Sequence, residues 1–249
     1  MDIPLDDPLA SAAVEAIHSG DAKSLERLLG ENSDLVKARV DRGRTLLHVA
    51  TDWPGHFPNN AETVATLVAH GADVNAKFAG RHSETPLHWA ASSDDVAVIE
   101  VLLNHGANIE APGGVIDGGA PLSDAVAFGQ WNAARRLVER GARTTLWQAA
   151  ALGLTARLEE CLGVVPPPTA DEITNAFWCA CHGGQRATAE HLLESGANLN
   201  WVGYDGHSPL DAANRSAATA VVQWLRSKGA KSARVSTQPA NQKSKRDSV

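Results

Sequence analysis

The feature that most constrains this chain is that it repeats itself. Thr45-Leu-Leu-His48-Val-Ala50-Thr51 returns as Thr85-Pro86-Leu-His88-Trp89-Ala90-Ala91, as Ala120-Pro121-Leu-Ser123-Asp124-Ala125-Val126, and as Ser208-Pro209-Leu-Asp211-Ala-Ala213-Asn214. Two worn copies begin at Thr144 and Thr174, so the starts lie 40, 35, 24, 30 and 34 residues apart. A second signal follows each complete copy: an apolar stretch ending in Gly-Ala at Gly71, Gly106, Gly141, Gly196 and Gly229. The distance from motif start to that glycine is 26, 21, 21, 22 and 21 residues in the five copies. A unit this short cannot bury its own apolar face, so the chain must stack its units into a solenoid.

The letters of the unit have physical reasons. Thr or Ser before Pro is an N-cap followed by a residue already fixed at a helical φ, which gives up only an orphan N–H. Paired small residues in the first helix let a second helix come close. The second helix has apolar residues at i, i+3 and i+4, and its closing glycine suits the left-handed position that ends a helix. His70, His105, Arg140 and Lys228 precede that glycine, where a cation complements the helix dipole.

Thr85–Ala91 followed by His105–Glu110, with a second close copy at His70–Asn75, resembles the ankyrin-repeat family. The resemblance runs over about residues 10–230. It implies an all-α solenoid of about seven helix-hairpin units, starting near 10, 45, 85, 120, 144, 174 and 208, some without the hairpin fingers of the family. Residues 1–9 form a lead, and 231–249 are expected to be a disordered basic tail. The family places the imidazole of its Thr-Pro-Leu-His motif in a hydrogen bond to the neighbouring repeat, which would give His48 and His88 a structural task. Trp89 and Trp178 are read at the same motif position, between neighbouring inner helices.

The departures from the pattern matter as much. Ala120 lacks a capping hydroxyl, a loss of about 1 kcal/mol. Gly141–Thr144 leaves no room for a finger, and the prolines Pro166, Pro167 and Pro168 cannot supply ladder donors at the next junction. Residues 75–84, 110–119 and 200–207 do have hairpin length and glycines. An insertion from Asp52 to Asn60 lengthens the second unit between its helices.

Composition limits the function classes. The chain of 249 residues has net charge −7, divided between −12 over residues 1–227 and +5 from Lys228 onward. An acidic body disfavours binding to nucleic-acid phosphates, and the tail has no aromatics on which bases could stack. No run of about 18 apolar residues is present, which argues against a membrane-spanning helix. The acidic N-terminus does not read as a secretory signal. Three cysteines are too few for a disulfide framework, so a reducing, cytoplasmic setting is expected.

The chemistry-bearing candidates are few. Cys179 and His182 could share a helix face, but the usual paired zinc-ligand sets are missing, and cysteine behaves as a small buried hydrophobe. No phosphate-binding glycine loop is present, and nothing supplies a nucleophile, a base and an oxyanion site together. The expectation is therefore no enzyme, no cofactor and no metal.

The expected function is a non-catalytic protein-binding module that presents a preformed groove and fingers, so little ordering entropy is lost on binding. Its binding residues are expected on two consecutive fingers, Phe78, Arg81 and His82 on one and Val115, Ile116 and Asp117 on the next. Ser92, Ser93 and Asp94 would form a polar rim. Trp53 and Phe57 in the insertion are second-rank anchors, since exposed aromatics commonly anchor interfaces. The chain is expected to be monomeric by itself, with a protein partner bearing a basic surface. The alternative is an obligate inhibitory or structural subunit. A thiol enzyme using Cys179 and His182 ranks behind both.

Overall fold

The computed structural model describes residues 2–4, 6–41 and 43–233. Its helices come in seven antiparallel pairs. They are α1 (Pro8–Ser19) with α2 (Ala22–Glu31), α3 (Leu46–Thr51) with α4 (Asn60–Ala69), α5 (Pro86–Ser92) with α6 (Val96–Asn104), and α7 (Pro121–Ala127) with α8 (Trp131–Glu139). They continue as α9 (Leu146–Leu152) with α10 (Thr155–Leu162), α11 (Ala170–His182) with α12 (Arg186–Glu194), and α13 (Pro209–Arg215) with α14 (Thr219–Ser227). The first helix of each pair packs on the first helix of the next, giving an inner row and an outer row. Three two-residue strands are added at the N-terminal end: β1 (Asp2–Ile3) runs parallel to β2 (Arg39–Val40), which pairs antiparallel with β3 (Arg44–Thr45). The lead thus places a strand beside the 39–45 hairpin before it enters α1. The basic tail lies, from residue 234 on, outside the described residues.

Five of the seven inner helices share one device at their starts. The capping box is closed by Thr45 with His48, Thr85 with His88, Thr145 with Gln148, Thr169 with Glu172 and Ser208 with Asp211, which satisfies donors a short helix would otherwise leave bare. Two of these differ from the sequence reading. The fifth unit is capped by Thr145, one residue after Thr144. The sixth helix begins at Ala170 behind Thr169, a full turn before Thr174, because Thr169 and Glu172 form a capping box there. Thr174 lies inside α11, where its hydroxyl accepts from the backbone N–H of Asn198 at 3.1 Å. Ala120, as expected, makes no side-chain cap.

The same positions tie one repeat to the next. The buried ring of His48 meets Thr45 Oγ1 at 2.8 Å through Nδ1 and the carbonyl of Glu84 at 3.1 Å through Nε2. His88 repeats this with Thr85 and the carbonyl of Gly119, at 3.0 and 3.1 Å. In the sixth unit the indole of Trp178 takes over, its Nε1 donating to the carbonyl of His207 at 3.0 Å. Each accepting carbonyl lies one residue before the next motif. Trp178 therefore occupies the place of His88 and not that of Trp89, a correction that follows from the extra helical turn.

These ties predict an acid-sensitive contact. Burial pushes the His48 imidazole down to about 4 from 6.5, so the unfolded chain binds the extra proton between those values and stability falls as pH falls through that window. Gln148 closes the same box with an amide, so His48→Gln is a non-titrating reference. The stability of wild type relative to His48→Gln should drop by about 2 kcal/mol from pH 7.5 to pH 5. Denaturant melts of both proteins at the two pH values would measure it, and parallel curves would refute it.

The buried side chains form two clusters that meet where α9 and α11 pack. One runs from Ile3 to Leu152 and takes in Cys179; the other takes in Ala150, Leu158, Phe177, Leu192 and Leu225. At this seam the backbones come unusually close. A Cβ placed on Gly183 would stand 1.9 Å from the carbonyl oxygen of Ala151.

Candidate functional site

Each inner helix has its N-terminus at the finger edge and its C-terminus at the turn into the outer helix. Seven residues of helix separate the edges at α5, about 10 Å. The residues expected to bind are divided between the two. Phe78, Arg81, His82, Val115, Ile116 and Asp117 lie on fingers; Ser92, Ser93, Asp94, Trp53 and Phe57 lie at the turn edge.

At the turn edge most of these groups hold repeats together. The Ser92 carbonyl accepts from Gln130 Nε2 at 2.8 Å, and that of buried Ser93 accepts from His56 Nε2 at 2.8 Å. Asp94 has φ 57°, and its carboxylate accepts from Asn132 Nδ2 at 2.8 Å and from the Ala133 N–H at 2.7 Å, across to α8. Phe57 is half-buried and stacks on His18 of α1 with centroids 4.6 Å apart. The insertion reaches further through Asn60, which donates to the carbonyl of Ala50 and to Asp95, both at 2.9 Å. It is a clasp over three units. Trp53 alone stands clear, 79% exposed.

The fingers are built from within. In the 75–84 finger the Phe78 N–H donates to the carbonyl of Glu84 at 2.7 Å. The half-buried Phe78 ring lies edge-on to Trp89 at 5.3 Å and beside His48 at 6.0 Å, so Phe78 stiffens this finger from below. Arg81 is exposed at its tip, with no ion pair among the described residues, and His82 is half-buried. In the 110–119 finger, Gly113 and Gly114 donate to the carbonyls of Gly118 and Gly119 at 2.9 and 3.0 Å. Val115 is 43% exposed, Ile116 is half-buried, and Asp117 is exposed at the tip with φ 54°.

Sequence reading left two features out of the site. The first is the 198–207 finger, where Tyr204 and Val202 are exposed and Tyr204 lies edge-on to Trp178 at 5.3 Å and to Trp201 at 6.0 Å. Burial raises the Tyr204 phenol, and the negative charge of Asp117 raises it further. Asp117 lies on the finger that follows the third unit and Tyr204 on the finger that follows the sixth. The aromatic residues of that finger are plain in the chain, but not that Tyr204 would pack edge-on to Trp178. The second omission is Asp124. It stands where the preceding unit has Trp89, followed by Ala125 as Trp89 is by Ala90, and an acid there was the available signal.

The thiol reading finds no support in the geometry. Cys179 is buried, its S–H pointing to Asn175 Oδ1 at 3.7 Å, and burial pushes its thiol up to about 12. Burial also pushes Cys181 up. A thiolate is the reactive species, and here it is disfavoured. His182 is engaged elsewhere, flanked by Trp131 at 5.1 Å and Trp178 at 5.5 Å, with Nδ1 at 3.0 Å from Ser216 Oγ. His70 and His105 cap their own helices through Nδ1, donating to the carbonyls of Thr66 and Val101 at 2.9 and 2.8 Å. Among the described residues no three acids, histidines or cysteines gather as a metal site, and no helix is long and apolar enough to cross a membrane.

Residues 57–148, from the insertion to the first turn of α9, match the sequence profile of three successive ankyrin repeats. The chain is an ankyrin-repeat protein. The helix pairs before and after that stretch repeat its packing, and the human ASB11 ankyrin repeat domain superposes on 88% of this chain and 97% of its own, with TM-score 0.54 and 22% identity. That likeness is one of fold. Among curated relatives, an ankyrin repeat and KH domain-containing protein of Caenorhabditis briggsae is 30% identical over 186 residues, 71% of this chain but 7% of that protein. Rabankyrin-5 of Mus musculus is 32% identical over 136 residues, 55% of this ankyrin-repeat chain and 11% of its own length. The NF-kappa-B inhibitor cactus of Drosophila yakuba is 27% identical over 154 residues, 62% and 31% of the two chains. The chain thus spans a third or less of these relatives. Ankyrin repeats are in general protein–protein interaction modules.

Proposed function

We propose that this ankyrin-repeat protein is a non-catalytic protein-binding module whose ligand surface runs along the finger edge, from Arg81 through Val115 and Asp117 to Val202 and Tyr204. The observation that carries this is the set of exposed apolar side chains on these fingers, Val115, Val202 and Tyr204, on loops whose own backbone hydrogen bonds hold their shape. Exposed apolar groups on a rigid support bind without first being ordered. The partner would carry a basic surface, since the body is acidic and steering by opposite charge speeds association. The proposed setting is cytoplasmic, with free thiols and a chain monomeric by itself.

A pull-down from the source cell, comparing wild type with an Arg81→Ala, Val115→Ala, Tyr204→Ala triple variant of unchanged melting temperature, tests this reading. We expect one protein to be enriched by wild type, lost with the variant, and bound more slowly at higher salt. Equal capture by both would move the site elsewhere.

A further inference from the structure

Beneath the 110–119 finger lies the least expected side chain of the protein. Asp124 is wholly buried. Its Oδ1 accepts from the backbone N–H of Ile116 at 3.0 Å, so the finger is wrapped onto this carboxyl, while Oδ2 is enclosed with no hydrogen-bond partner. The finger comes so close that a Cβ on Gly114 would stand 2.7 Å from Oδ2 and 2.9 Å from the carbonyl oxygen of Gly119. No cation is paired with Asp124 among the described residues. The elements around it bring other groups. The 75–84 finger brings Glu84, itself buried and raised by that burial, with His82 near it. Helix α5 brings His88, which burial holds towards its neutral form. Helix α9 brings uncharged Gln148, the outer helix α8 carries Arg135 and Arg136, and the finger's own Asp117 is out at the tip. The charge that acts on Asp124 is the like charge of Glu84.

A buried carboxylate with one oxygen unpaired and a second carboxyl for a neighbour is costly to ionise. We propose that Asp124 makes closure of the 110–119 finger proton-linked: the finger is held most firmly when the carboxyl is neutral and loosens as the carboxyl ionises. This regulates the surface assigned above, and its meaning for binding rests on that reading, because Val115, Ile116 and Asp117 ride on this finger. Opening the finger lets water reach the carboxyl and returns it to ordinary acidity.

The direction follows from proton counting. Burial, with the charge of Glu84, raises Asp124 from 3.8 to about 7 in the closed state. Between those values the closed finger holds a proton that the open finger has released, so closure weakens as pH rises from about 4 to 7 and levels off above. From pH 6 to pH 8 the closing equilibrium should fall about tenfold.

The test is hydrogen exchange of the full chain without any partner, reading backbone protection of residues 113–119 at pH 5, 6, 7 and 8, corrected for intrinsic exchange. We expect wild-type protection to fall about tenfold from pH 6 to pH 8, and Asp124→Asn to be flat over that range. A flat wild-type profile, or the same slope in Asp124→Asn, would overturn the proposal. Should Asp124→Asn not fold, Glu84→Gln decides. Removing the like charge must move the wild-type fall to lower pH, and an unmoved profile overturns the idea. A failed pull-down would leave this profile untouched, so the two readings fail separately.

Discussion

Phe177→Ala should lower stability by about 3–5 kcal/mol, the cost of removing a fully enclosed aromatic ring and leaving a cavity. Phe177 is completely buried in α11 and meets Trp224 of α14 edge-on, with centroids 6.4 Å apart. It is the largest fully buried side chain of the C-terminal cluster. Stability in a stacked array is a sum of unit and interface terms, so the loss should concentrate in α11–α14. We expect the C-terminal units to melt first, with the N-terminal units following near the wild-type midpoint. Trp201 and Trp224 report the first step, and hydrogen exchange can locate it. A loss below about 1 kcal/mol would mean that the ring is not packed as described.

Gly183→Ala should be the next most damaging change, at about 3 kcal/mol, the upper end for forcing a methyl group into packed structure. The reason is not conformational freedom, since Gly183 has φ −76° and ψ −2°, which any residue adopts. The reason is space: its Cβ would meet the carbonyl oxygen and carbonyl carbon of Ala151 at 1.9 and 2.8 Å. Both are backbone atoms that cannot rotate away, so α9 and α11 must separate. The two buried clusters meet at that contact, so the variant should unfold in two resolved steps where wild type shows one. Gly196→Ala is the control, because open space surrounds Gly196 on the exposed side of a helix end. That position has φ 98°, so the control feels backbone strain alone. A control as costly as Gly183→Ala would show that the clash is not the cause.

Much of the architecture was legible because the unit is local. Caps, paired small residues and the closing glycine all act within one helix hairpin, so their spacing in the chain is their spacing in the fold. His48 and His88 show how far this reaches: the motif placed both rings, and both bond the next repeat as the family resemblance implied. The worn units show where it stops. Counting from Thr174 put Trp178 one position off, because Thr169 and Glu172 cap the helix a turn earlier and the motif letters there are too degraded to show it.

The candidate surface was legible only in part. The sequence marked Phe78 as an anchor, yet Trp89 and His48 lie beneath it and half bury it. It marked Ser92, Ser93 and Asp94 as a rim, yet Asp94 is occupied with α8 and the two serine carbonyls with Gln130 and His56. Those partners are about 40 residues away in the chain, so no local pattern announces them. Asp124 carries the point furthest. A sequence shows an acid where the unit before has a tryptophan, but only the wrapped finger leaves its Oδ2 without a partner. By itself the sequence determined the repeat, its helix pairs and the missing fingers, because those follow from propensity and caps within one unit. Which side chains stay free to bind, and which carboxyl is kept from water, was decided by the stacking of units, because burial is a property of neighbours that the chain brings together only in three dimensions.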